Sequence, residues 1–374
     1  MQRRSLFLLT FLIILAVDVV LCGLTLATHD SNPLVFAHIG TRFSNRGTAE
    51  DAAMLAANQT GYDGQFVYYI ARDGFDAEPL IDDPSFRFQR ILLPLLGGLL
   101  SFGNDALVPW ALLLINIIGH AAGAGLIALL LHEDRAPALL GGLTYGLWIG
   151  ILFAVRMTLT EILCFGLGLA ALLAYRQQRL VLTALLLVGS MLAKEMGIVF
   201  AAAIALHLAS ERRWGWSLVM VLAPTAALGV WWLILRQQFG GMPTQNIAAR
   251  QVSLIPYGGI IAASEENNWV ETFMLLLWVA VPNLILLFLA VRNIWQSRSV
   301  SVISALMLMC GGFVLTIPAV TWVDPVAAYR VAMPTLIGGL LFLGNYHQRM
   351  MRYFAVLWLT GLCILLLLPQ LWIG

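Results

Sequence analysis

The stretch Leu6–Ala27, with the sequence LFLLTFLIILAVDVVLCGLTLA, contains a single charged residue, Asp18. A helix needs about 20 apolar residues to cross the hydrocarbon core of a bilayer. The stretch follows Arg3 and Arg4 and is longer than the apolar core of a secretory signal peptide. We therefore interpret it as a retained membrane helix with its N-terminus in the cytoplasm.

The composition extends this interpretation to the whole chain of 374 residues, of which 60% are hydrophobic and 11% are charged. Soluble domains carry about 25% charged residues, so this chain lacks the polar groups that would cover a globular surface. The composition excludes a soluble enzyme, a disordered regulator and a basic nucleic-acid binder. It predicts an all-α fold, in which a polytopic membrane helix bundle forms a single transmembrane domain over residues 1–374.

Ten further apolar runs bring the prediction to about eleven transmembrane helices. They lie at residues 105–131, 136–155, 157–175, 180–193, 196–210, 215–236, 271–291, 299–318, 329–345 and 353–372. The runs 180–193 and 196–210 are short, and a re-entrant pair is the alternative to two crossings. With the N-terminus inside, the cytoplasmic segments hold eleven arginines and three acids, as the positive-inside rule requires.

The polar sequence is concentrated on the outer side, in a first loop at 28–104 and a second loop at 237–270. Loops of this length are usually functional. Within the first loop, Gln65–Ala71 and Gln89–Phe102 are largely apolar and predict two helices that lie in the membrane interface. The aromatic residues of the first helix are expected at the level of the lipid headgroups. They are Phe66, Tyr68 and Tyr69.

The first outer loop contains the strongest candidate for a catalytic residue, Asp63, in the sequence Gly61-Tyr62-Asp63-Gly64-Gln65. The two glycines allow a tight turn that would bring the carboxylate close to a substrate. A solvent-facing loop is the simpler interpretation for most other acids of this segment. Asp63 differs because an aromatic, largely apolar segment follows it directly, and we predict a functional role for it.

Five ionisable residues are predicted near membrane depth on the outer side, where such residues indicate function. They are Arg156, Glu161, Lys194, Glu195 and Arg330. Lys194 is the only lysine of the chain, and the alternative to a ligand site is a structural ion pair between two helices. Asp18 and His120 are interpreted as such a helix–helix contact.

The chemistry of these residues suits a lipid-linked substrate. Cations at this depth can bind a phosphate or diphosphate headgroup, and a nearby carboxylate can deprotonate an acceptor hydroxyl. The four cysteines (Cys22, Cys164, Cys310 and Cys363) show no paired spacing and are predicted to be small core residues. No Asp-x-Asp motif occurs, and neither a metal nor another cofactor is predicted.

Several motifs resemble those of the GT-C superfamily of integral-membrane glycosyltransferases, in particular a group of small bacterial GT-C-like membrane proteins. The motifs are Tyr62 to Phe66, Arg72-Asp73, Asp83-Pro84, Phe86 to Pro94, Thr160-Glu161, Lys194-Glu195 and Tyr329-Arg330. The resemblance extends over about residues 5–340. It implies a multi-pass protein of the bacterial inner (cytoplasmic) membrane, with a cytoplasmic N-terminus and an active face directed outward.

The resemblance also implies roles for individual residues. Asp63 takes the part of the general base in an inverting transfer from a polyprenyl-phosphate sugar, and Asp73 and Asp83 are less favoured candidates for that part. The predicted substrate-binding residues are Tyr62, Gln65, Arg72, Asp73, Arg87, Arg90, Arg156, Glu161, Lys194, Glu195 and Arg330. The expected partners are the polyprenyl-phosphate sugar, the lipid bilayer and a lipid or glycan acceptor of unknown identity, and no nucleic acid is expected.

Two other functions are compatible with the sequence. One is a transporter or flippase of a lipid-linked substrate, in which the charges would line a permeation path. The chain shows no internal repeat of the kind found in many transporters. The other is a non-catalytic membrane scaffold, which gives no reason for the placement of Asp63 or of Lys194-Glu195.

Overall fold

A computed structural model describes residues 3–44, 60–133, 137–244 and 255–363, and these residues form helices without any β-strand. The predicted all-α class is confirmed for this part of the chain. The first eleven helices are α1 (Arg3–Ala27), α2 (Asp63–Asp73), α3 (Pro84–Phe88), α4 (Leu92–Leu100), α5 (Val108–Glu133), α6 (Ala138–Gly146), α7 (Ile149–Arg156), α8 (Glu161–Arg176), α9 (Leu180–Ala193), α10 (Ile198–Ser210) and α11 (Trp214–Phe239). The others are α12 (Gly258–Ala263), α13 (Trp269–Leu275), α14 (Val281–Ser297), α15 (Val302–Leu315), α16 (Ala319–Val323), α17 (Pro325–Val331), α18 (Met333–Tyr346) and α19 (Gln348–Leu359).

Within the described ranges, five helical segments are long and apolar enough to cross a membrane. They are Arg4–Ala27, Asp105–His132, Trp214–Phe239, Trp269–Ser297 and Pro325–Tyr346. A sixth span results if α6 and α7 are counted as one, although the two are bent by 48° relative to each other. These segments indicate a membrane-spanning protein, whereas the number of eleven crossings stays a prediction. The last predicted run, 353–372, extends beyond the described residues.

The segment that carries Arg330 packs against the bend between α6 and α7. The indole nitrogen of Trp148, in the break, donates a hydrogen bond of 3.1 Å to the carbonyl oxygen of Tyr329. The same carbonyl lies so close to Gly150 that a Cβ atom there would overlap with it. Glycine at this position therefore allows α7 and the backbone next to Arg330 to touch.

A second break separates α9 from α10, and at this break Lys194 adopts an extended conformation with φ −161° and ψ 142°. A short 3₁₀ turn at Glu195–Gly197 then leads into α10. The break explains why the apolar runs here are short. It also places Lys194 and Glu195 between the two helices and not within either of them.

The two predicted helices of the first outer loop are present as α2 and α4. The expectation for the aromatic residues of α2 needs correction. Phe66, Tyr68 and Tyr69 are 4%, 5% and 0% exposed, because α2 packs between other helices and its side chains form a second hydrophobic core. Cys22, Cys164 and Cys310 are buried as predicted, whereas Cys363, the last described residue, is exposed.

Asp18 and His120 contact each other across the interface of α1 and α5. The imidazole Nδ1 lies 2.8 Å and 3.0 Å from the two carboxylate oxygens. Both side chains are buried, with 1% exposure for Asp18 and 0% for His120. A charge at such a position is tolerated only when it is paired, so this pair fixes the position of the first helix against the bundle.

We expect His120→Leu to lower the free energy of unfolding by about 3–5 kcal/mol, because the Asp18 carboxylate then stays buried without its partner. The double variant Asp18→Leu/His120→Leu should recover most of this loss, since neither polar side chain then stays buried without its partner. Thermal unfolding of the purified variants in detergent measures both effects. A single variant as stable as the wild type would contradict the role of the pair.

Candidate functional site

Charged side chains from five separate parts of the chain meet at one place. They come from the start of α2, from the segment around α3, from the start of α8, from the break before α10 and from α17. We call this group the charged network, and its members are Asp63, Asp82, Arg87, Arg90, Glu161, Lys194, Glu195, Asp324 and Arg330. Seven of these residues had been predicted as site residues, and the structure brings all seven together.

Asp63 is the first residue of α2, and its side chain is 32% exposed. Its Oδ1 accepts a hydrogen bond of 2.6 Å from Nη1 of Arg87. Its Oδ2 lies 3.7 Å from Nη2 of Arg330. The carboxylate therefore lies between two guanidinium groups that come from distant parts of the chain.

The backbone before Asp63 requires glycine, as the sequence indicated. Gly61 has a φ of +64°, and a Cβ atom there would overlap with backbone atoms of His38 and Gly40. The amide of Tyr62 donates to the carbonyl of His38 at 2.9 Å. The tight turn thus lies two residues earlier than Asp63, and it directs the start of α2 toward the charged network.

Arg87 joins two carboxylates. Its Nε and Nη2 donate to the two oxygens of Asp82, at 2.8 Å each, while Nη1 reaches Asp63. Arg90, three residues later, makes a two-pronged contact with Glu195, at 3.1 Å and 2.7 Å. Bidentate arginine–carboxylate pairs hold both groups in a fixed geometry.

Glu161 is the most deeply buried acid of the charged network, with 1% exposure. Its Oε1 accepts from Nζ of Lys194 at 2.7 Å and from Nη1 of Arg330 at 2.9 Å. The two cations are 4% exposed. One oxygen atom therefore orients both of them, and this arrangement corresponds to the structural ion pair that was the alternative for Lys194.

Tyr62 connects the network to α17. Its hydroxyl donates to Oδ2 of Asp324 at 2.7 Å and accepts from Nη2 of Arg330 at 3.1 Å. Asp324 was not predicted as a site residue, because an aspartate before Pro325 is typical of a helix N-cap. It does cap α17 through Oδ1, which accepts from the amide of Val326, and only its second oxygen belongs to the site.

The electrostatics of the first outer loop follow from these contacts. Burial raises the pKa of Asp63, but Arg87 and Arg330 lower it by more, so that the pKa lies well below its usual range. Burial raises the pKa of Tyr62 well above its usual value. Near neutral pH, Asp63 is therefore a carboxylate and Tyr62 is a neutral hydrogen-bond donor.

Four predicted residues lie outside the network. Arg72 and Asp73 pair with each other at the far end of α2, with two contacts of 2.7 Å.

Gln65 is fully buried and stabilises the loop, because its amide group contacts the backbone of Gly40 and Thr60. Arg156, the fourth residue, is described below. Asp83, a less favoured candidate for the base, accepts from the amide of Phe86 and so caps α3.

A large apolar cavity of about 610 Å³ adjoins the network. It lies between α2, α4 and α11, and its lining includes Phe75, Leu95, Ala227 and Trp231. A small polar pocket of about 20 Å³ contains Asp63, Arg87, Arg90 and Glu161. The two spaces share Ile70 and Pro94 in their linings, so the charged side chains and the apolar cavity lie on neighbouring sides of these two residues.

Arg156 has a structural role in this arrangement. Its Nη1 donates to the carbonyl of Val35 at 2.9 Å and lies 2.7 Å from Nε2 of His38. It therefore anchors the segment after α1, in which the carbonyl of His38 accepts a hydrogen bond from the amide of Tyr62.

Among the described residues, no group of three His, Cys, Asp or Glu side chains is placed to hold a metal ion.

We expect the protein to lose stability as the pH falls below about 6.5. Burial and the charge of Arg156 lower the pKa of His38 from 6.5 to about 3. Between these values the unfolded chain binds a proton that the folded chain does not, so acid favours unfolding.

For the wild type and for His38→Gln, we would measure the Tm at about pH 7.5 and at about pH 5. The difference between the two Tm values is then compared between the two proteins. The glutamine keeps an acceptor for Arg156 but does not titrate, so its difference in Tm should be smaller. An equal pH dependence in both proteins would show that His38 does not cause it.

Comparison of the chain with protein-family models, with curated protein sequences and with solved structures gives no match. The resemblance to the GT-C superfamily consequently stays a prediction that rests on the motifs of the sequence.

Proposed function

We propose that the protein is a GT-C-type membrane glycosyltransferase. It would transfer a sugar from a polyprenyl-phosphate donor to a lipid or glycan acceptor at the outer face of the membrane, with Asp63 as the general base. The observation that carries the proposal is the position of Asp63, which lies between the guanidinium groups of Arg87 and Arg330 and beside a lipid-sized apolar cavity.

The two spaces match the two ends of such a donor. Guanidinium groups and an ammonium group bind phosphate oxygens well, and the network offers Arg87, Arg90, Lys194 and Arg330. The apolar cavity offers room for the first part of an isoprenoid chain. Leu99 and Val230, which line it, are 62% and 59% exposed, so the chain could leave the cavity laterally into the bilayer.

The proposed reaction is a single displacement. The acceptor hydroxyl attacks the anomeric carbon of the sugar on the side opposite to the phosphate, and Asp63 takes up the hydroxyl proton. A new bond forms between the acceptor oxygen and the anomeric carbon, while the bond between that carbon and the phosphate oxygen breaks. The polyprenyl phosphate leaves with the electron pair, and the configuration of the sugar is inverted.

The proposed topology places this reaction outside the cytoplasm. Eleven crossings with the N-terminus inside leave the cytoplasmic turns rich in arginine. All five segments of the charged network then lie on the opposite side. The same amphipathic site would also fit a flippase of a lipid-linked substrate, and lipid movement in the absence of any sugar acceptor distinguishes that function from transfer.

Asp63→Asn should abolish sugar transfer, because an amide cannot accept the proton of the acceptor hydroxyl. We expect a loss of at least about 100-fold in turnover with a radiolabelled polyprenyl-phosphate sugar, in line with the usual contribution of a general base. Asp73→Asn is the matched control, since Asp73 lies on the same helix but pairs only with Arg72. Transfer by Asp63→Asn at the wild-type rate would rule out its role as base.

Filling the apolar cavity should weaken the binding of long-chain donors selectively. Ala227→Trp places a large side chain in the cavity, whereas the neighbouring Ala226 is exposed and does not line it. We expect Ala227→Trp to raise the KM for a long-chain donor and to leave that for a donor with one or two isoprene units unchanged. Ala226→Trp should change neither value. An equal increase in the KM for both donors would argue against an isoprenoid chain in this cavity.

A further inference from the structure

The charged network has no spare positive charge for an incoming anion. It contains four cations and five carboxylates, and each of the four cations already contacts a carboxylate at 2.9 Å or less. An anionic ligand that simply entered this site would meet a net negative charge. A phosphate therefore has to take the place of one of the carboxylates.

Size leads to the same conclusion. The polar pocket beside Asp63 has a volume of about 20 Å³, which is roughly the space that one water molecule requires. A phosphate group with its four oxygen atoms does not fit there while the surrounding side chains keep their positions. Binding of such a group requires that one side chain of the pocket moves away.

Asp63 is the carboxylate whose contacts are the easiest to replace. Glu161 is 1% exposed and binds two cations, and Glu195 binds Arg90 through both of its oxygens. Asp63 receives one hydrogen bond from Arg87, and Arg330 lies 3.7 Å from its other oxygen. Its side chain is also 32% exposed at the edge of the pocket, so it can turn outward without the loss of buried packing.

We propose that the site between Arg87 and Arg330 is a phosphate-binding subsite that the Asp63 carboxylate occupies in the absence of ligand. The phosphate of a prenyl lipid binds there by exchange, with its oxygens on the two guanidinium groups, and Asp63 is released toward the acceptor. This inference rests on the proposed function, because it assigns the donor phosphate of that reaction to a defined place.

The exchange has a consequence for the order of events. A carboxylate that is bound to two guanidinium groups is a weak base, because protonation would break these contacts. Once the phosphate has replaced it, Asp63 regains the basicity that the transfer requires. The acceptor is therefore activated only in the presence of the donor, and the reaction follows an ordered sequence in which the donor binds first.

The binding of farnesyl phosphate, a prenyl phosphate without a sugar, tests the exchange directly. Asp63→Asn removes the competing charge from Arg87 and Arg330, so we expect about tenfold tighter binding by calorimetry in detergent. Asp73→Asn, whose partner Arg72 lies outside the network, should bind like the wild type. Unchanged or weaker binding by Asp63→Asn would overturn the proposal.

A second measurement needs no variant at this position and so does not depend on the folding of Asp63→Asn. Carbodiimide labelling of the wild-type protein, followed by mass spectrometry, reports whether Asp63 is accessible. We expect farnesyl phosphate to increase the labelling of Asp63 several-fold, because its carboxylate is released from Arg87 and Arg330. Labelling that stays constant or decreases would contradict the exchange.

These experiments separate the inference from the proposed function. Neither of them contains a sugar or an acceptor, so both can succeed even if the wild-type protein transfers no sugar. In that case the results would support the phosphate-binding subsite and would contradict the glycosyltransferase function. Conversely, sugar transfer by the wild type together with unchanged binding of farnesyl phosphate by Asp63→Asn would support the function and contradict the exchange.

Discussion

The contact of a single Glu161 oxygen with both Lys194 and Arg330 is the interaction on which the site depends. Charged groups at this depth are stable only when they are paired and hydrogen-bonded. This requirement brings together α8, the break before α10 and α17, which are far apart in the sequence. The remaining members of the charged network are arranged around this buried centre, and Asp63 lies at its more exposed edge.

Much of the fold follows from the sequence because the apolar runs are long and the charges between them are few. The helical class could be predicted in this way, and so could the approximate positions of the longer helices, whereas the break within the predicted run 136–155 could not. The site could be predicted in part, since Asp63, Arg87 and Arg330 carry charges that a membrane protein would not place there without a partner. Asp324 could not, because its N-cap position explains it without any further role. The separation of Arg156 from Glu161 also depends on a turn that the spacing does not reveal.

The proximity of the charged network to the apolar cavity gives the site two chemically different parts. One part presents charged side chains and the other presents apolar ones. The helices α2 and α4 of the first outer loop contribute to both spaces, through Asp63 at one end and through residues such as Ile70 and Pro94 at their boundary. The loop is therefore a part of the candidate site and not only a connection between helices.

The contact of Trp148 with the carbonyl of Tyr329 has a kinetic consequence. It fixes the backbone next to Arg330 against α7, so that a change of partner at the guanidinium group involves side chains alone. Exposed side chains change rotamer within picoseconds to nanoseconds, whereas collective movements of helices and domains take microseconds to milliseconds. A rotation of the partly exposed Asp63 side chain away from Arg330 belongs to the faster of these two classes of motion, because it needs no movement of a helix.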